Sequence, residues 1–191
     1  MTLLILGLVL FLGIHSVRIV AEGWRTRMRA RLGENSYKGL YSLVSIAGFV
    51  LIIVGYGQAR QAPQALWVPM TWARHLASLL TLASFVLLVA AKVPRNQIKA
   101  WVQHPMLLGV KLWAFAHLLA NHTLADLLLF GGFLAWAVLD YRAAKARDRI
   151  AGTVYPAGTL AGTALTVGIG VAVWAAVAFW AHTAWIGMKP F

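Results

Sequence analysis

Uninterrupted apolar runs, each about as long as a bilayer is thick, constrain this chain more than any other feature. A helix rises about 1.5 Å per residue, so about 20 apolar residues cross a hydrocarbon core of about 30 Å. Six such runs are read at roughly 2–20, 39–57, 70–91, 104–121, 124–141 and 164–187. The 191 residues are 61% hydrophobic and 12% charged, against about 45–50% and about 25% in soluble domains. A soluble globular enzyme is thereby excluded. The expected fold class is all-α, a polytopic transmembrane bundle of about six helices forming one domain over residues 1–191.

The net charge is +12, from 17 Lys+Arg and 5 Asp+Glu. In a soluble chain this would suggest nucleic acid, but here the basic residues lie between the apolar runs, where topology and anionic lipid headgroups account for them. The partner expected is the lipid bilayer, with no nucleic acid. Arg18, Arg25, Arg27, Arg29, Arg31 and Lys38 follow the first run, Lys92, Arg95 and Lys99 follow the third, and Arg142, Lys145, Arg147 and Arg149 follow the fifth. Those three segments share one side if there are six spans. The opposite side holds Arg60, Arg74 and Lys189, so the positive-inside rule predicts a bacterial inner-membrane protein with both termini in the periplasm. The first run has no basic segment before it and no small-residue cleavage pattern, and is read as a retained helix.

Trp67 and Trp72 at one rim, and Trp24 and Trp101 at the other, suit the aromatic belts of the interfaces. Gly158 and Gly162 form a small-xxx-small pair at the start of the last span, and Gly131-Gly132 lies in the fifth. Such residues let helices approach closely. Packing within one bundle is their expected use, with a homodimer as the alternative.

Inside a membrane every polar side chain needs a reason, since an ionisable group at helix centre costs about 2.5–3.5 kcal/mol on insertion scales. His15, His75, His104, His117 and His182 fall within or at the ends of spans, and His122 lies in a turn. One such histidine commonly bonds a carbonyl. Five together, with no cysteine and few carboxylates, point to ligands for haem or a metal. By depth His75 and His117 can meet near the outer face, while His15 and His104 form a looser inner grouping. His104 and His117 are thirteen residues apart, hence on nearly opposite helix faces. Lys111, near the middle of its span, shares the His104 face and could pair with Asp126, Asp140 or a ligand carboxylate such as a haem propionate. Asp126 is expected to cap the fifth span together with Thr123. No Ser/His/Asp order, phosphate loop or H-E-x-x-H is present, and catalysis by side chains alone is disfavoured.

The block Lys99-Ala-Trp-Val-Gln-His104-Pro105-Met-Leu-Leu-Gly109-Val-Lys111-Leu-Trp113-Ala-Phe-Ala-His117-Leu-Leu-Ala-Asn121 closely resembles the signature of the NnrU family. Leu127-Leu-Leu-Phe130-Gly131-Gly132-Phe-Leu-Ala-Trp136 and Phe11-Leu-Gly13-Ile-His15-Ser16 resemble the same family, and the likeness covers nearly the whole chain. Bacterial members are named for an association with denitrification, in nitrite and nitric oxide metabolism. The family is distantly similar to plant 15-cis-zeta-carotene isomerase, an integral membrane protein that uses haem b. That resemblance implies haem b here, with His15 and His117 matching positions proposed as ligands. The isomerase has a cysteine three residues before the second histidine, where this chain has Ala114.

Two functions are therefore expected. The first is a haem b membrane protein in redox or isomerase chemistry, with His117 as one axial ligand, its partner being His15 by resemblance or His75 by depth, and with an unidentified redox partner. The second is a non-enzymatic accessory protein or small-solute transporter, in which the histidines and Lys111 line a polar path.

Overall fold

The computed structural model describes residues 1–68 and 70–190. The helices are α1 (Thr2–Val20), α2 (Glu22–Leu32), α3 (Glu34–Ala59), α4 (Thr71–Ala90), α5 (Gln97–Val102), α6 (Pro105–Ala120), α7 (Leu124–Ala151), α8 (Leu160–Ala176) and α9 (His182–Ile186), with a π-helical turn (Val177–Ala181) joining α8 to α9. Among the described residues, five stretches are long and apolar enough to cross a membrane: α1, α3, α4, α7 and the continuous helix from Leu160 to Ile186. The fourth expected span is α6, with 16 residues. At 1.5 Å per residue it is about 24 Å long, shorter than the hydrocarbon core. The chain forms two compact units, Met1–Trp67 with His122–Asp140, and Val68–Asn121 with Tyr141–Phe191. Helix α7 begins in the first and ends in the second.

In the first unit, α1 and α3 pack backbone to backbone. A Cβ on Gly55 would lie 2.2 Å from Leu4 N, one on Gly48 2.7 Å from Phe11 N, and one on Gly7 2.6 Å from Ile52 N. Gly48, Ile52 and Gly55 lie on one face of α3. On another face, Leu43, Ile46, Val50 and Ile53 form an exposed apolar stripe at the three- and four-residue spacing of a helix surface. Such a stripe suits lipid. The basic segment after α1 was expected to be a connecting segment and is instead largely helix α2. The ion pair from Arg29 to Glu34 at 3.4 Å links it to the start of α3, while Arg25–Glu22 lies within α2 and Lys38–Glu34 within α3.

Thr123 opens α7 as expected. Its backbone N–H donates to Asp126 Oδ2 at 2.9 Å, while Asp126 N–H donates to Thr123 Oγ1 at 3.2 Å. This reciprocal arrangement is a capping box. The sequence did not predict the third partner of Asp126: Tyr56 OH donates to Oδ1 at 2.6 Å, bonding α3 to the start of α7. Leu66 N–H also donates to the His122 carbonyl, and Leu124 N–H to that of Gln64.

In the second unit, α4 packs against both α6 and α8. Ser84, fully buried, donates to the Gly109 carbonyl at 2.7 Å, and a Cβ on Gly170 would lie 2.7 Å from Val86 Cα. Asn96, only 1% exposed, ties the α4–α5 corner together. Its amide donates to the Ala90 and Val93 carbonyls and its Oδ1 accepts from Lys99 N–H. Gly158 and Gly162 serve packing within this unit. Cβ atoms there would lie 2.2 Å from Gln97 N and 2.6 Å from the Arg95 carbonyl, so the 95–97 corner rests on the start of α8. Pro105 occupies the first turn of α6, as expected from its missing N–H.

Candidate functional site

Each unit carries a half-buried histidine at the same local spacing. In α1, Phe11 precedes His15 by one helical turn, and the His15 Nδ1–H donates to the Phe11 carbonyl at 2.6 Å. In α6, Trp113 precedes His117 by one turn, and the His117 Nδ1–H donates to the Trp113 carbonyl at 2.7 Å. A carbonyl can only accept, so Nδ1 carries a proton in each ring. Axial histidines of metal centres use the same arrangement, in which the second nitrogen fixes tautomer and ring orientation.

Around His15 the first unit builds an aromatic wall. The Phe11 ring stacks on the imidazole at 4.3 Å, Tyr41 stands edge-on at 5.2 Å and Trp136 edge-on at 6.0 Å. Phe49 and Phe133 back Phe11 at 6.0 and 5.7 Å, and Tyr37 lies beside Tyr41 at 6.5 Å. Among the described residues, the buried Tyr37 hydroxyl, Trp136 Nε1 and Glu22 Oε2 have no hydrogen-bond partner. At His117 the Trp113 ring packs on the imidazole at 5.0 Å, and Asn121 Nδ2 donates to the His117 carbonyl at 2.8 Å. Ala114 and Ala116 are fully buried.

His104 belongs to a different kind of cluster. Its Nε2–H donates to Asp148 Oδ2 at 2.8 Å, and Tyr155 OH donates to the same carboxylate oxygen at 2.7 Å. Burial, then the bond to Asp148, pushes the Tyr155 hydroxyl up to about 12, so it remains a donor at physiological pH. The Tyr141 ring stands edge-on to His104 at 6.0 Å and carries Lys111 Nζ 5.1 Å above its centroid. The expected shared face of His104 and Lys111 is thus realised through Tyr141. Asp126, one carboxylate considered for Lys111, is held instead by Thr123 and Tyr56. Beside this cluster Lys145 donates to Gln103 Oε1, in a cleft of about 270 Å³ lined by Gln103, Lys145, Asp148, Arg149, Gly152 and Thr153.

The remaining histidines are placed less suggestively. His75 is on the exposed side of α4, two residues beyond the buried Ala73, and the His182 Nδ1–H donates to the Met188 carbonyl. Among the described residues no three His, Cys, Asp or Glu side chains gather around a common point. A haem iron needs no such group, because its porphyrin supplies four nitrogens. Haem b asks for a neutral imidazole nitrogen, apolar walls and partners for two carboxylates. The His15 region supplies an imidazole and three aromatic neighbours, Phe11, Tyr41 and Trp136.

Sequence reasoning missed Phe11 and Trp113 as partners of the histidines, although their four-residue spacing was visible. It also missed Tyr37, Tyr41, Tyr56, Tyr141 and Tyr155, which reach their partners only through folding. The family model described as NnrU protein matches residues 3–190. Comparison with curated proteins and with solved structures returned no match. With the whole helical chain covered by that one model, the protein belongs to the NnrU family.

Proposed function

We propose that this NnrU-family membrane protein binds haem b and acts in redox chemistry linked to nitrite and nitric oxide metabolism, with His15 or His117 supplying a nitrogen to iron. The observation that carries this reading is the His15 arrangement, a carbonyl one turn back accepting from Nδ1–H beside an aromatic wall, with the same local bond repeated at His117. Bound haem b would supply one-electron chemistry at its iron. The chain's own part is to hold the imidazole oriented, to wall the ring with aromatics and to exclude water. Redox chemistry is favoured over isomerisation because Ala114, fully buried, stands where the isomerase has a cysteine.

The visible spectrum of detergent-purified protein from haem-replete cells tests this reading. A Soret band near stoichiometric with protein is expected, and colourless, well-folded protein that fails to take up haemin would remove it. The same spectrum separates the accessory or transporter reading, which draws on the Asp148, His104, Tyr141 and Lys111 string and requires no chromophore. The proposed topology places both termini in the periplasm of an inner membrane, following the charge bias. An inactive C-terminal alkaline phosphatase fusion beside a fluorescent C-terminal green-fluorescent-protein fusion would overturn it.

A further inference from the structure

The cleft of about 270 Å³ lined by Gln103, Lys145, Asp148, Arg149, Gly152 and Thr153 lies wholly in the second unit. Drug-sized ligands occupy about 300–1,000 Å³, so this space suits a single headgroup. Lys145 and Arg149 are four residues apart on α7, the spacing at which two like charges face each other and weaken a helix. Arg149 is exposed and enters none of the ion pairs among the described residues. Lys145 donates to Gln103 Oε1, which uses one of its three donors and leaves two. The negative charge in the cleft is already met, since Asp148 Oδ2 accepts from His104 Nε2–H and from Tyr155 OH. The excess charge is positive.

The wall that holds these groups is strained. His104 N–H donates to the Val102 carbonyl at 2.7 Å across Gln103, whose φ and ψ are 65° and −49°. That is a γ-turn of the positive-φ kind, rare and costly for a residue with a side chain. Gln103 then fastens Lys145 and His104 fastens Asp148, so one strained turn positions both charged residues. Strain of this kind gathers at binding sites. Opposite, Gly152 at φ 61° ends α7, and Thr153 N–H closes on the Asp148 carbonyl at 3.0 Å, as in a Schellman motif. A carbonyl that would repel an anion is thereby met.

We propose that this cleft binds the phosphodiester of an anionic phospholipid, with Lys145 and Arg149 donating to its unesterified oxygens. A guanidinium fork and an ammonium are the side-chain groups that recognise phosphate. The rim selects a lipid over a soluble phosphate. Ile150 and Val154, next in sequence to Arg149 and Thr153, are 89% and 88% exposed, aliphatic surface that acyl chains would cover. The result is a defined headgroup site, beyond the general attraction of basic loops for anionic lipid.

Native mass spectrometry of the full chain in a neutral detergent, titrated with phosphatidylglycerol or phosphatidylcholine, tests the assignment. The wild type should prefer phosphatidylglycerol. Arg149→Gln and Lys145→Gln should each weaken its binding roughly tenfold, the effect of one hydrogen bond to a charged group, and leave phosphatidylcholine binding unchanged. Arg142→Gln removes an exposed charge of the same helix that does not line the cleft, and should change binding by less than about twofold. Lys145 also bonds Gln103, so Lys145→Arg, which keeps the charge, should retain most of the preference that Lys145→Gln loses. Arg149, exposed and unpaired, can be replaced without disturbing the fold and carries the test alone if Lys145→Gln does not fold. Equal weakening by all three glutamine substitutions would reduce the effect to diffuse surface charge. Equal binding of both lipids by the wild type would remove the site. Arg149-dependent binding of inorganic phosphate without any of phosphatidylglycerol would make it a soluble-phosphate site. Each of these three results overturns the proposal.

Discussion

His15 in the first unit and His104 in the second resemble each other in sequence, each lying near the basic end of its span, yet their surroundings are opposite. His15 gives its Nδ1 proton to a carbonyl of its own helix and is walled by rings. His104 gives its Nε2 proton to a carboxylate that also accepts from Tyr155. A carbonyl that accepts from Nδ1–H leaves Nε2 uncommitted to that bond, whereas at His104 the carboxylate occupies Nε2 itself. The first arrangement is the one on which the haem proposal draws. The second consumes the histidine in fastening α6 to the end of α7 and to Tyr155.

The sharpest way to break this contrast is to remove each imidazole. Loss of the ligating imidazole, by His15→Ala or His117→Ala, should abolish the native Soret spectrum, while His104→Ala should keep it with a melting temperature lower by a few degrees. A colourless His104→Ala beside spectrally normal His15→Ala and His117→Ala would move the site into the carboxylate cluster.

The glycine contacts of α1 and α6, the helices that carry His15 and His117, differ too. A Cβ at Gly55 meets α1 backbone at 2.2 Å, but a Cβ at Gly109 of α6 meets the Leu88 side chain at 3.0 Å and the Ser84 carbonyl at 3.1 Å. Backbone cannot step aside as a leucine can. Gly55→Ala should therefore cost about 3 kcal/mol or more and Gly109→Ala about 1 kcal/mol, measured by denaturation in detergent; equal costs would remove the distinction.

The smallest effect expected is at Tyr155. Its hydroxyl is raised to about 12 by burial and by Asp148, above the ordinary tyrosine value of about 10. The stability it contributes is full below about 10 and is lost as pH rises through about 12. Tyr155→Phe should remove one late-titrating tyrosinate from the absorbance change at 295 nm and leave any Soret band unmoved. An unchanged titration would detach Tyr155 from Asp148.

Much of this was legible from one dimension. The spans follow from apolar run length, because a bilayer admits few alternatives to a helix. Boundaries shifted where polar residues continued a helix into water: α3 starts at Glu34 rather than 39, and α7 runs on to Ala151 rather than 141. The capping role of Thr123 and Asp126 was also legible, being local in sequence. So were the intramembrane histidines and the His104–Lys111 face.

Tertiary structure decided the rest. Seven residues separate Gly48 from Gly55, a spacing any helix allows; only the approach of α1 makes both necessary. Spacing gave no reason to bring Tyr56 to Asp126, seventy residues away, or Tyr155 to Asp148 and His104. Depth along a helix follows from counting residues at a fixed rise. Which carbonyl, carboxylate or ring each histidine meets depends on how helices rotate and pack against one another, and close packing, not periodicity, sets that rotation.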